Sequence, residues 1–137
     1  MTAEERVELA RNPNTPVETL VELSRDENWR VRYKVAENPD TPPETLAELS
    51  RDKHYTVRSD VALNRNTPPE TLAELSRDQD ESVRKCVAQN PSTSVNILAE
   101  LSRDVEWRVS VNPKWIRLEK AGILDQAIAI SKYLGIL

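Results

Sequence analysis

The chain has two glycines, Gly122 and Gly135, one cysteine, Cys86, and one histidine, His54, in 137 residues. So few glycines exclude a phosphate-cradling loop, which needs several in close succession. One cysteine excludes an internal disulfide and a four-cysteine metal or cluster site. The lone histidine leaves little material for catalysis. Asp52 and Tyr55 lie beside it in the sequence, but no serine or cysteine nucleophile stands with them in a recognisable arrangement. No apolar run approaches the roughly 18 residues needed to span a bilayer, and the N-terminus lacks a charged-then-apolar leader. These absences predict a cytoplasmic protein with no membrane contact, metal or cofactor. The net charge of -4 argues against a nucleic-acid partner.

What the chain has is repetition. The segment Asn38 to Leu63, NPDTPPETLAELSRDKHYTVRSDVAL, is followed without a gap by a near copy, Asn64 to Gln89. Weaker copies begin at Asn12 and Asn90. A 26-residue unit cannot bury its own apolar face and must stack on its neighbours, which predicts a solenoid with one long core. The boundaries that follow are a half-unit cap over 1–11, full units over 12–37, 38–63 and 64–89, a truncated unit over 90–113, and a C-terminal cap over 114–137.

Each unit reads as two helices. Thr15, Thr41 and Thr67 are each followed three residues later by glutamate, and Thr2 by Glu5. That is capping-box spacing, and it predicts an A helix of about ten residues beginning at Pro16, Pro42, Pro68 and Ser94. Its apolar stripe is Leu46, Ala47, Leu49 and the equivalents one unit away. Ser-Arg-Asp closes helix A in all four units. A B helix then carries Val31, Val35, Ala36, repeated at Val57, Val61, Ala62 and at Val83, Val87, Ala88. Valine is a modest helix former, so helix B has either α or partly 3₁₀ geometry. Asn112-Pro113 arrives four residues early, which clips the fourth B helix to about Glu106–Val111. In the tail, Ile123, Ala127, Ile130, Leu134 and Leu137 follow the stripe of a one-sided helix. It is expected to cap the last core face; a homodimer contact is the alternative.

The unit N-P-x-T-P-x-x-x-L-x-x-L-x-x-D-x-x-x-x-V-R-x-x-V-A resembles the leucine-rich repeat variant family. It is more distantly similar to HEAT repeats, which share an Asp followed six residues later by Arg, here Asp26 and Arg32, Asp52 and Arg58, Asp78 and Arg84. The resemblance covers Asn12 to Asn112. It implies an all-α, right-handed superhelix of α and 3₁₀-like helices with no β-sheet. One form of the family carries an iron–sulfur cluster on an N-terminal cysteine segment. No such segment is present here, so that cofactor does not carry over. Ser110 stands where the next Arg is expected, so an Asp–Arg ladder should stop there.

Within one chain the units act as internal controls. Positions that recur serve stacking, so Leu, Val, Ala, Thr, Asn and the Asp–Arg pairs are scaffold. Positions that vary cluster before helix B and on its open face. The candidate partner-binding residues are Trp29, Arg30, Tyr33, Lys34, His54, Tyr55, Lys85 and Trp107, since Trp, Tyr and Arg are favoured binding anchors. Trp29, Tyr55 and Trp107 share one repeat position and alternatively shield the turn beneath them. The expectation is a non-enzymatic module or scaffold binding a protein on its helix B face. The alternatives are a nucleic-acid-binding solenoid, by analogy with HEAT-like DNA glycosylases, and a purely structural accessory segment.

Overall fold

The computed structural model describes residues 1–134, with the side chains of residues 105–108 and 134 outside that description. Ten helices and no strands are present among the described residues. Two helices per unit alternate along the chain. The B-type helices are α1 (Ala3–Arg11), α3 (Trp29–Glu37), α5 (Tyr55–Leu63) and α7 (Glu81–Gln89). The A-type helices are α2 (Val17–Leu23), α4 (Pro43–Leu49) and α6 (Pro69–Leu75). After them come α8 (Val95–Val109), α9 (Pro113–Lys120) and α10 (Leu124–Leu134).

The B helices pack directly on one another in sequence, α1 on α3, α3 on α5 and α5 on α7, and α7 then meets α8. The A helices attach mainly to the B helices beside them. One continuous B layer therefore forms the spine of an all-helical solenoid. Its core is the set predicted from periodicity: Val31, Val35, Ala36, Val57, Val61, Ala62, Val83, Val87 and Ala88 from the B layer, with Leu20, Leu46, Leu72 and Leu98 from the A side. Ala47 is only half-buried, and Thr45 takes its place under the stack.

Several expectations change on contact with the structure. Thr2 does form a capping box with Glu5. Thr15, Thr41 and Thr67 do not. The A helices begin one residue later than expected, with Pro16, Pro42 and Pro68 at the cap and no side-chain cap bond. Each threonine hydroxyl instead donates backwards, Thr41 to Val35 O and Thr67 to Val61 O, both at 2.6 Å. Those carbonyls are the orphans left at the end of helix B, so threonine closes one helix rather than opening the next. The A helices have seven residues, not ten. The B helices are nine-residue α-helices. Tighter i→i+3 bonds occur instead where helix A ends, as in Arg25 N to Glu22 O and Asp26 N to Leu23 O.

The fourth unit departs furthest. Ser102-Arg103-Asp104 does not end a helix, and α8 runs through it for 15 residues in place of two helices. In the other units the residue two after the Asp caps helix B: Asn28, His54 and Asp80 each accept a backbone N–H from two residues on. The fourth unit has Glu106 at that position, a residue type outside the preferred N-caps. With no start signal for a new helix, the old one continues.

The tail also turns a different face inward. Helix α10 packs on α8 and α9, but Ile123 and Ile130 are exposed, while Ala127 and Ser131 are buried. The docking face is Leu124, Ala127, Ile128 and Ser131, at i, i+3, i+4, i+7 spacing. Ser131 fixes it by donating to Asn96 Oδ1 at 2.8 Å and accepting from Asn96 N. Gly122, at φ +71°, makes the turn between α9 and α10 in a left-handed conformation that costs glycine little. The expected contributions of Leu134 and Leu137 lie outside the described residues.

Candidate interaction surface

Two polar ladders set the spacing of the units and so position everything on the B face. The first is arginine to aspartate. The carboxylate of each Asp pairs not with the Arg six residues later but with the Arg 20 residues earlier. The rungs are Arg6–Asp26, Arg32–Asp52, Arg58–Asp78 and Arg84–Asp104, at 2.6 to 2.9 Å. The i+6 relation is real but runs through the backbone, since Arg32 Nη1 donates to Asp26 O and Arg58 Nη1 to Asp52 O, both at 2.8 Å. Each guanidinium thereby ties two turns together. Burial alone would push the Asp52 carboxyl up. The Arg32 guanidinium and the His54 backbone N–H outweigh it and hold that carboxyl below its ordinary range. The last rung is Arg84–Asp104, one unit before Ser110. Arg6 is a rung that the sequence reading missed, although it sits 26 residues before Arg32.

The second ladder is asparagine. Asn64 Nδ2 donates to Ala36 O at 2.8 Å and Asn38 O at 3.0 Å, and its Oδ1 accepts from Asn66 N at 2.9 Å. Asn38, Asn90 and Asn112 repeat the pattern on the carbonyls of Ala10, Ala62 and Ala88. The register survives the four-residue deletion, because Asn112 still reaches the end of the preceding B helix. By contrast, Arg25–Glu48 and Arg51–Glu74, at 3.8 and 3.9 Å, are exposed pairs that add little.

On this frame the candidate residues fall into two groups. Trp29, Arg30, Tyr33 and Lys34, all on α3, line a cavity of about 280 Å³ with Val7 of α1 and Thr56 of α5. Trp29 meets Tyr33 edge to face, with ring centroids 6.3 Å apart, and Lys34 Nζ lies 4.7 Å from the centre of the Tyr33 ring. Val7 was not singled out in the sequence; its signal is the repeat itself, which sets it in register with Tyr33.

The other candidates are placed elsewhere. His54 forms a support: its ring stacks on Trp29 at 4.0 Å and 7°, and its Nδ1 accepts from Thr56 N. The Tyr55 ring lies nearly parallel to that of His54, with centroids 5.6 Å apart. The shared column of Trp29 and Tyr55 is thus bridged by an imidazole and partly shields the turn. Lys85, on α7, pairs with Glu81 at 2.9 Å and is not part of the cavity. The Trp107 side chain lies outside the described residues.

Beside the cavity, Asp60 has an oxygen, Oδ2, that is buried without a hydrogen-bond partner, as is Ser59 Oγ. Burial, then the charge of Glu37, push the Asp60 carboxyl up to about 7, with Lys34 pulling the other way. A larger concavity of about 650 Å³ opens at the N-terminal end, around Met1, Glu5, Leu9 and Asn12. It is the end face of the stack, and its charged residues Glu8 and Arg11 pair with each other at 3.4 Å.

No curated protein and no solved structure matches the chain. Three consecutive stretches, residues 3–28, 29–54 and 55–80, match the model of the leucine rich repeat variant. Each pairs a B helix with the A helix after it, nine residues ahead of a frame that starts at Asn12. These stretches take in more than half of the chain, and the structure repeats with the same period: two α-helices per 26 residues and an all-helical core. The chain belongs to the leucine rich repeat variant family.

Proposed function

We propose that this solenoid is a non-enzymatic protein-interaction module whose partner seats on the B layer at the Trp29–Tyr33 cavity. The observation that carries the reading is the contrast between ladders and cavity. Residues that recur in every unit are spent on stacking, whereas Trp29, Arg30, Tyr33 and Lys34 stand at positions that vary from unit to unit and converge on one concavity. Aromatic and arginine anchors around a small hollow are what protein interfaces favour at their centres. His54 supports the non-enzymatic part of the reading, because its Nδ1 and its ring are both engaged in holding local structure.

The test is affinity capture from the source cell with the wild-type chain, Trp29→Ala, Tyr33→Ala and a distant control, Lys85→Ala. Loss of the same captured protein with the first two variants but not the control supports the reading. Equal recovery with all four sinks it.

A second reading has its own observation. The tail turns Ile123, just before α10, and Ile130 and Tyr133 on it to solvent, Tyr133 at 88% exposure, which suits self-association. Light scattering on wild type and on Ile130→Lys decides it: a dimer that becomes monomeric in the variant supports the reading, and a wild-type monomer removes it.

A further inference from the structure

We propose that the cavity on α3 recognises an acidic, apolar peptide, a segment of a partner protein that places a glutamate or aspartate next to a leucine or aromatic side chain. This rests on the B-layer reading above and names the chemistry of its ligand. Arg30 and Lys34 stand one helical turn apart on the same face of α3, a like-charge pair that destabilises an isolated helix. Lys34 leans away to Glu37 at 2.7 Å. Arg30 has no carboxylate within 4.0 Å among the described residues, in contrast with the arginines of the ladder. It is exposed at the mouth of the cavity, beside Trp29 and Tyr33. An arriving carboxylate would relieve the repulsion and meet a planar fork suited to two parallel hydrogen bonds. Apart from Thr56, the rest of the cavity is apolar or aromatic, with Val7, Trp29 and Tyr33 as walls, and about 280 Å³ suits one or two side chains.

A nucleic acid fits less well. The positive charge does not continue along the layer, since Thr56, Ser59 and Asp60 occupy the positions of Arg30, Tyr33 and Lys34 one unit on. One face of the Trp29 ring is already covered by His54 at 4.0 Å, which leaves less of it for a base to stack on.

The experiment is fluorescence anisotropy with the full chain and a labelled octapeptide of alternating Glu and Leu. Companion peptides carry Gln or Lys in place of Glu, and an oligothymidylate serves as a fourth probe. Circular dichroism checks that the variants fold. Saturable binding of the Glu peptide, about tenfold weaker for the Gln peptide and for Arg30→Glu, and unchanged in Lys85→Glu, is the expected result. No binding of the Glu peptide, or binding indifferent to Gln and to Arg30→Glu, overturns the inference. So does binding of the oligothymidylate alone. If the Lys peptide binds instead and Trp29→Ala abolishes it, the acidic ligand is wrong while the B-layer site stands. If the Glu peptide binds but ignores both Arg30→Glu and Trp29→Ala, the site itself is misplaced.

Discussion

Asn64 makes three hydrogen bonds with one side chain, and the side chain is buried. Each bond contributes about 1 kcal/mol, and the carbonyls of Ala36 and Asn38 would lose a partner away from water. Asn64→Ala should therefore cost about 3 kcal/mol in urea unfolding. Asn12, at the open end of the same ladder, is exposed and accepts only from Asn14 N, so Asn12→Ala should cost less than about 1 kcal/mol. Asp60 gives stability a pH dependence of unusual sign for an acid. Its folded value is about 7 against an ordinary 3.8, because burial and Glu37 disfavour the charge. Between those values the folded state holds a proton that the unfolded state has released, so stability falls as pH rises, and levels off above about 7. A three-unit shift has a ceiling of about 4 kcal/mol, and partial solvent access brings the expected loss nearer to about 2 kcal/mol. Melting from pH 4 to 8 should show this decline in the wild type and a flatter profile in Asp60→Asn. A wild type that gains stability over that range contradicts the assignment.

At the level of elements, the A–B turn shows how one residue type decides whether a chain makes two helices or one. Asn28, His54 and Asp80 start a new helix, and Glu106 does not. Hydrogen exchange gives a direct readout. The amides of Glu27, Lys53 and Gln79 sit in the turn with no backbone acceptor, whereas that of Val105 lies within α8. Val105 should exchange at least about tenfold more slowly than the other three; equal rates would mean that the fourth unit also breaks there. The same turns show what the sequence could and could not disclose. The Leu and Val-Ala stripes were legible because burial follows period, and period needs no knowledge of neighbours. The threonine role was misread because Thr-x-x-Glu spacing is local, while the carbonyl that Thr41 satisfies belongs to the previous helix and lies six residues back. The arginine partners were misread for a like reason: a pair six residues apart is visible in one unit, but Arg32 and Asp52 meet only after stacking. Trp29, Arg30, Tyr33 and Lys34 were legible as a group because their positions vary from unit to unit, and Val7 was not, because nothing in its own segment marks it.

For the whole molecule, stability in a stack is a sum of unit and interface contributions, so the ends matter most. Removing residues 122–137 takes α10 off α8 and strips Asn96 of its Ser131 partner. The shortened chain should melt less cooperatively or aggregate; an unchanged melt with a change only in molecular mass would make the tail an association element instead. The ladders have a further consequence for how such a chain lengthens. Over residues 12–89 each unit presents a carboxylate to the arginine 20 residues before it and an asparagine to carbonyls 26 and 28 residues before it, at a constant offset. Duplication of a stretch one period long within residues 12–89 therefore joins without a mismatched seam, wherever in that span the cut falls. The near identity of residues 38–63 and 64–89 is what a recent copying event would leave behind. A gene carrying one more copy of 38–63 should yield a taller stack with a higher melting temperature, made from parts already present.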